Sequence, residues 1–555
     1  MSLLRSARQL LPGTADYAPL KRSWKNDLIA GITVGIVALP LALAFGVSSG
    51  AGAAAGLITA IVAGVVAAVF GGSNVQVSGP TGAMVVVLAP VIALHGMQSL
   101  ALVTIMAGVI VLAAGALKLG RAVGYIPWPV IEGFTLGIAI IIFLQQVPAA
   151  FGVPAGDSTN AAVAAFQSLR NTDFSTLFWP LVLVLIVAAI MLAAPKIHPQ
   201  LPGSIIGIIV ATLVAGLAGL PVTRIGDLPS SLPAPSVPYF DPGLVTALLG
   251  PALTIAALAA IESLLSARVA ASISDTGPYD PDRELVGQGL ASVASGFFGG
   301  MPATGAIART AVNIRAGAKT RASTIVHALV LLGVVYLATG PVGQIPLAAL
   351  SGVLMVTAFR MISPATLRSV IGSTRADTVT FFVTAVITVS FDLIQAVEIG
   401  IVVAAFFALR SLVKASGVHR EELPGPAQDG DEQIALFRLD GALFFGASER
   451  VLERVSAIRS VHVVIIRMSQ LQILDATGAR VIAELVTALE RRGITVLIKG
   501  IQERHLKLAT HVGVLESLRH HKHLFAELEP AVEHARSHVS RARQQTTTAR
   551  TRGMS

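Results

Sequence analysis

Apolar residues fill most of the first 414 positions in runs long enough to cross a bilayer, with polar residues gathered in short breaks between them. From Leu28 to Leu117 there is no Asp, Glu, Lys or Arg, a length that holds about four spans of about 20 residues each. The pattern predicts membrane helices near 28–47, 52–70, 75–94, 100–117, 126–147, 175–194 and 204–220. It predicts seven more near 245–271, 285–298, 300–315, 321–339, 345–361, 376–391 and 394–413, fourteen in all, or seven plus seven.

Two of these segments are interrupted. Gly71 to Met84 carries Gly71-Gly72, Pro80 and then Thr81-Gly82-Ala83, and Gly299 to Thr310 carries Gly299-Gly300, Pro302 and then Thr304-Gly305-Ala306. The two Thr-Gly-Ala triplets lie 223 residues apart (304 − 81). Paired interruptions at corresponding places in two halves of a membrane protein point to a transporter's binding site. A helix that starts inside the membrane has amides without intrahelical partners, and its dipole adds about half a positive charge there. Two such starts facing one cavity favour an anion. Irregular backbone is tolerated at that depth only where protein or water covers it. The candidate binding residues are Thr81, Gly82, Ala83, Thr304, Gly305 and Ala306. The bland alternative is that these glycines only let helices pack closely.

Two ionisable residues bear on such a cavity. Arg309, just past the second break, either adds positive potential to it or snorkels to the cytoplasmic face. Glu262 lies inside an apolar span, where a charge costs about 2.5–3.5 kcal/mol on insertion scales and function is the default reading. With Ser266 one turn on and on the same face, it is a candidate to bind a coupling proton or sodium ion. A structural ion pair with Arg268 or Arg309 is the alternative. By the same offset Glu262 corresponds to Leu39, beside Pro40. Glu132 reads as an interfacial residue next to Trp128, and Arg315, Lys319 and Arg321 as loop charges.

Composition fits this picture. The chain is 54% hydrophobic and 13% charged, with mean hydropathy +0.75, whereas soluble proteins carry about 25% charged residues. The net charge of +9 is explained by topology rather than by nucleic acid. Lys118, Arg121, Lys196, Arg315, Lys319, Arg321, Arg368 and Arg375 follow even-numbered spans, and Arg268 and Arg283 surround the exit of the eighth. By the positive-inside bias both termini are cytoplasmic. The first apolar run reads as a true span rather than a cleaved signal. Cysteine is absent, which excludes disulfides and thiolate metal sites. No hydrolase or transferase constellation stands out, and without a P-loop direct use of ATP is unsupported. The chain is therefore not expected to be an enzyme or to need a cofactor beyond a coupling ion.

After Lys414 the composition changes. Residues 415–431 read as a linker, rich in Pro, Gly, Asp and Glu from Glu421 onward, and 432–540 as a small α/β domain. Strands are expected at Ile434–Leu439, Val461–Ile466 and Ile494–Ile498, and helices at Ala447–Ser456 and Gly478–Arg491. His520-His521-Lys522-His523 reads as a solvated surface, and the polar tail 541–555 as disordered.

These residues resemble the SulP (sulfate permease) family over nearly the whole chain. The markers are Asp27-Leu28-Ile29-Ala30-Gly31-Ile32-Thr33-Val34-Gly35, Gly71 to Met84, Glu284-Leu285-Val286-Gly287-Gln288-Gly289, and Gly299 to Asn313. The resemblance implies an all-α membrane domain over 28–414, with fourteen spans in a seven-plus-seven inverted repeat, core and gate parts, and a homodimer in the cell (inner) membrane. It places the substrate between the third and tenth spans. It also identifies the soluble part as similar to a STAS domain, where Leu474-Asp475-Ala476-Thr477-Gly478 matches the loop phosphorylated in relatives. Thr477 is thus either regulatory or part of a plain helix-start turn, and a cytoplasmic partner of this domain is implied. Leu41 stands where many members carry Gln or Glu after the first-span proline. Ala260-Ile261-Glu262-Ser263-Leu264-Leu265 looks closest to the bacterial branch with dicarboxylate and bicarbonate carriers. The expected function is secondary active transport of sulfate, bicarbonate or a dicarboxylate by alternating access, coupled to a proton or sodium. An anion channel, an uncoupled exchanger and a STAS-signalling nutrient sensor are the alternatives.

Overall fold

The computed structural model describes residues 10–121, 126–156, 158, 160–170, 174–198, 201–391, 393–415, 417–443 and 461–552. It divides into two compact units, residues 1–404 and 405–555.

Each of the fourteen predicted segments holds a helix. They are α1 Leu20–Ser48, α2 Gly52–Phe70, α3 Gly82–His95, α4 Gln98–Ala116, α5 Trp128–Gln145, α6 Phe174–Ile197 and α7 Gly203–Leu217. The second set is α8 Pro242–Ile273, α9 Pro281–Phe297, α10 Ile307–Arg315, α11 Ala322–Leu337, α12 Leu347–Met361, α13 Arg375–Ser390 and α14 Leu393–Ala415. Seven described helical stretches are long and apolar enough to cross a membrane, and four shorter ones are apolar. Short helices at Val147–Phe151, Ala161–Arg170, Thr339–Gly343 and Pro364–Ile371 were not predicted, because none is long enough to register as an apolar run. Prolines and carboxylates set the starts of long helices. Asp241 caps α8 through Gly243 N, and Asp280 caps α9 through the amides of Asp282 and Arg283, each followed by a proline in the first turn. On α7, Ile209, Leu213 and Leu217 stay exposed, as expected of a face that meets lipid rather than water.

The helices sort by packing into two groups. α4 and α2 lie against α9, α11 lies against α1 and α2, and α8 touches α3, α4, α9 and α10. The other group joins α5 to α13 and α12, and α6 to α7 and α12. So the first four helices of each set of seven form one body. The groups meet where α1 touches α7 and α12, and where α3 touches α5.

Buried polar groups fasten the first body. Asp27 accepts from the amides of Lys319 (2.7 Å) and Thr320 (2.9 Å) and from the hydroxyls of Ser23 (2.7 Å) and Thr320 (2.8 Å). Arg321, expected to be a loop charge, is instead buried. Its guanidinium donates to Ala68 O (3.1 Å), Gly71 O (2.5 Å) and Asn74 Oδ1 (3.2 Å), which closes the end of α2. Arg315 and Lys319 are exposed, as predicted. Asp27→Ala is expected to strand the buried amide of Thr320 and the half-buried amide of Lys319 and lower stability by about 2–5 kcal/mol. Thermal unfolding of the detergent-solubilised protein checks it; an unchanged midpoint would dismiss the fastening role.

The second unit is a three-layer α/β/α domain. Its sheet runs β3–β4–β5–β7–β8, with β6 also on β4. The strands are β3 Gly417–Glu421, β4 Ile434–Leu443, β5 Val463–Arg467, β6 Leu471–Leu474, β7 Thr495–Lys499 and β8 Leu524–Phe525. Only the β3–β4 pairing among these is antiparallel. The near-continuous apolar run of β5 follows from burial on both faces. Val464 and Ile466 pack with α15, Ala476–Arg491, whereas Val463 and Ile465 pack with Ala531, Val532, Ala535 and Val539 of α17, Leu528–Arg552. Between them in the chain comes α16, Glu503–His511, whose Ala509 packs in the same core as α15.

Three expectations fail here. The linker 415–431 contains β3, an edge strand of the sheet. The tail from Arg541 is not disordered but continues α17 to Arg552. Acidic residues at the end of the linker and just past it meet that helix: Asp431 pairs with Arg536 (2.8 Å), and Asp429 and Glu432 pair with Arg543 (2.7 and 2.5 Å). The histidine stretch is not wholly a solvated surface, since His523 is only 4% exposed. The predicted helix Ala447–Ser456 lies outside the described residues.

Candidate functional site between the two chain breaks

The breaks meet. Ser78–Gly79 (β1) and Thr304–Gly305 (β2) form an antiparallel pair, with Ser78 opposite Gly305 and Gly79 opposite Thr304. (These two strands stand apart from the sheet of the second unit.) The pairing extends through Ala306 N to Val77 O at 2.9 Å. Side chains satisfy the backbone around it. Val77 N donates to Thr310 Oγ1 (3.0 Å), Asn313 Nδ2 to Val75 O (2.8 Å), and Gln288 Nε2 to Ser78 Oγ (2.6 Å). Glu284 accepts from the amides of Gly72 (2.8 Å) and Ser73 (3.0 Å). Every one of these groups is protein-covered, which makes irregular backbone tolerable within the membrane.

A helix leaves each strand. The first intrahelical bond of α3 is Val85 N to Thr81 O, and that of α10 is Thr310 N to Ala306 O. The amides of Gly82, Ala83 and Met84, and of Ile307, Ala308 and Arg309, therefore precede any intrahelical partner. The strands are antiparallel, so the two helices leave the junction in opposite senses with their starts nearest each other.

The two Thr-Gly-Ala triplets are not structurally equivalent. Thr81 is the residue before α3, whereas that place before α10 belongs to Ala306, and Thr304-Gly305 forms the strand that pairs with Ser78-Gly79. The offset between strands is 226 (304 − 78) rather than 223. A three-residue match is too short to fix an alignment when the first break has one more residue between strand and helix than the second.

The hydroxyls accordingly do different things. Thr81 Oγ1 donates to Glu262 Oε2 at 2.8 Å, across from α8 to the start of α3. Thr304 is wholly buried and turned to α8, on Ala259 O (3.2 Å) and Ser263 Oγ (2.8 Å). Ser263 also takes Gly305 N at 3.1 Å. Ser266, one turn past Glu262, meets the Thr310 hydroxyl at 3.4 Å.

Arg309 does not snorkel. It is 2% exposed and donates from Nη2 to Pro80 O at 2.6 Å. Its other terminal nitrogen, Nη1, is buried with no hydrogen-bond partner and lies beside Gly79, where a Cβ would sit 2.8 Å from it. Among the described residues no carboxylate comes within ion-pair distance of Arg309, and Glu262 pairs with neither Arg268 nor Arg309. A buried guanidinium with a spare donor, beside two helix starts, is chemically suited to an oxyanion. Phe45 of α1 and Ile142 of α5 close over Gly82, where a Cβ would fall 3.6 and 2.1 Å from their nearest atoms. The start of α3 thus faces the second helix group.

Sequence reasoning missed Ser263, Gln76 and the apolar pair Phe45 and Ile142. Gln76 was a rare polar side chain in an uncharged run and Ser263 adjoined Glu262, so both carried a faint signal; the apolar pair carried none. Gln76 packs on Gly305 and donates to Ser263 O at 3.3 Å. Gly305→Ala would place a Cβ 1.6 Å from Gln76 Nε2, and such overpacking costs about 1–3 kcal/mol. A lowered unfolding temperature, restored in part by adding Gln76→Ala, is expected; equal stability of Gly305→Ala and the parent would refute the tight fit. Elsewhere, Trp128 Nε1 donates to Glu132 at 3.0 Å, an exposed pair that matches the interfacial reading. Thr477 is exposed in the first turn of α15, whose start is capped by Asp475 through Gly478 N at 2.7 Å.

The sequence profile of the sulfate permease family matches residues 24–384. The chain belongs to the sulfate permease family. The STAS domain profile matches residues 426–531. This sulfate permease member is 33% identical to YvdB of Bacillus subtilis over 509 residues, covering 90% of this chain and 95% of that one. It is 32% identical to the bicarbonate transporter BicA of Synechocystis over 504 residues, covering 86% and 88%. The solved transmembrane domain of a cyanobacterial BicA superposes with a TM-score of 0.62 at 31% identity, over 69% of this chain and 98% of that domain. Murine anion transporter Slc26a9 superposes with a TM-score of 0.82 at 18% identity, over 96% and 95%, a likeness of fold.

Proposed function

We propose that this member is a secondary active transporter of a small oxyanion, with bicarbonate the substrate its similarity to BicA favours. The observation that carries the reading is the antiparallel pairing of the two breaks, which gathers two helix starts and the spare donor of Arg309 at one place. The body holding these groups would move against α5, α7 and α12, exposing the site to each side of the cell membrane in turn. Glu262 would take the coupling proton or sodium ion, because its hydrogen bond to Thr81 links its charge state to the start of α3. Both termini would be cytoplasmic and the chain a homodimer, with Thr477 open to modification or a partner.

The test is uptake of labelled bicarbonate, sulfate and succinate into proteoliposomes, each with and without sodium and at two pH values. Accumulation of one oxyanion above its outside concentration, driven by one gradient, is expected. Conductance without accumulation would make the protein a channel and reject the coupled reading. No flux of any of the three anions would reject the anion site.

A further inference from the structure

The second unit brings together three histidines from two neighbouring elements of the chain. His523 ends the short turn His521–His523 just before β8, and His534 and His538 lie one turn apart on α17. Their ligand atoms all lie within 4.8 Å of one another. Nε2 of His534 and Nε2 of His538 are 3.3 Å apart. Two nitrogens bound tetrahedrally at about 2.0–2.1 Å from zinc are separated by about 3.3 Å, so this pair already stands at the spacing of two ligands. His523 is buried, and its Nδ1 has no hydrogen-bond partner. An unsatisfied buried imidazole nitrogen on a residue clustered with two other histidines calls for an explanation.

We propose that His523, His534 and His538 form a binding site for one divalent transition-metal ion of the zinc class, with a fourth position left to water. Three imidazoles with no carboxylate among them suit zinc, cobalt, nickel or copper and not magnesium or calcium, which require oxygen ligands. Cations stand near the cluster. Arg519 is engaged with Glu490 at 3.2 Å and Arg541 with Ser537 O at 3.1 Å. Their repulsion weakens binding of an added cation without occupying the ligand nitrogens. A bound ion would join α17 to the turn ahead of β8, a cross-link in a domain that has no cysteine to make one.

The experiment uses the full chain in detergent, made without a polyhistidine tag and freed of metal. Cobalt titration followed by visible absorption should saturate at one ion per chain with the intensity of a four-coordinate site. Zinc should displace the cobalt, and excess magnesium or calcium should not. His534→Ala and His538→Ala, half-buried positions where folding should survive, are each expected to weaken binding by more than about tenfold, since even outer-shell changes cost about 10–100-fold. His511→Ala, an exposed histidine on α16, should leave it unchanged. Zinc should also raise the unfolding temperature of the parent and of His511→Ala but not of the other two, since only a native-state ligand stabilises. Absence of saturable binding, or binding that survives both His534→Ala and His538→Ala, would overturn the site and leave a hydrogen-bonded histidine stack.

Discussion

Glu262→Gln is expected to abolish accumulation against a gradient while leaving the protein folded and able to exchange anions down one. The amide keeps the size of the carboxyl group and can still accept the Thr81 hydroxyl, now 2.8 Å from Oε2. What it loses is the ability to change charge. One proton moving down a tenfold gradient supplies about 1.4 kcal/mol, enough for about tenfold accumulation of a solute. The steady-state ratio in proteoliposomes should therefore fall from near ten to near one under that gradient, and labelled counterflow should persist. Parent-like accumulation by Glu262→Gln would end the coupling assignment without touching the anion site.

Arg309→Met carries the second large effect. The guanidinium already gives one donor to Pro80 O and holds Nη1 in reserve. A charge-assisted hydrogen bond is worth about 1.5–3 kcal/mol, so the half-saturating anion concentration should rise by about 10–100-fold. Arg309→Lys should recover little, because an ammonium that reaches Pro80 O has no second nitrogen to place where Nη1 lies. Uptake kinetics check both variants. Unchanged affinity in Arg309→Met would show that the helix starts alone hold the anion.

The membrane helices were legible because the signal for them is local: a run of apolar residues of the right length. The breaks were legible for the same reason, since Gly71-Gly72 and Gly299-Gly300 cannot sit comfortably in an unbroken helix. What escaped was set by partners distant in the chain. Whether Arg321 is a loop charge or a buried staple depends on carbonyls of Ala68 and Gly71, about 250 residues earlier. Thr304 looked like a match for Thr81 until α8 claimed its hydroxyl. The tail beyond Arg541 carried too few apolar residues to announce a helix. Its order depends in part on acidic residues some 110 positions upstream. The contact of Arg309 with Pro80 likewise spans the two halves and leaves no trace in the composition of either.

The two-stranded pairing also constrains how this sequence can vary. Side chains alternate faces along a strand, so gaining or losing one residue in either break would turn Ser78-Gly79 over relative to Thr304-Gly305. It would also slide one helix start by about 3.3 Å past the other. Length changes in the first break should therefore be rare among descendants of this chain unless a compensating change arises in the second. At this one spot the two halves of the membrane unit are bound to a shared ruler.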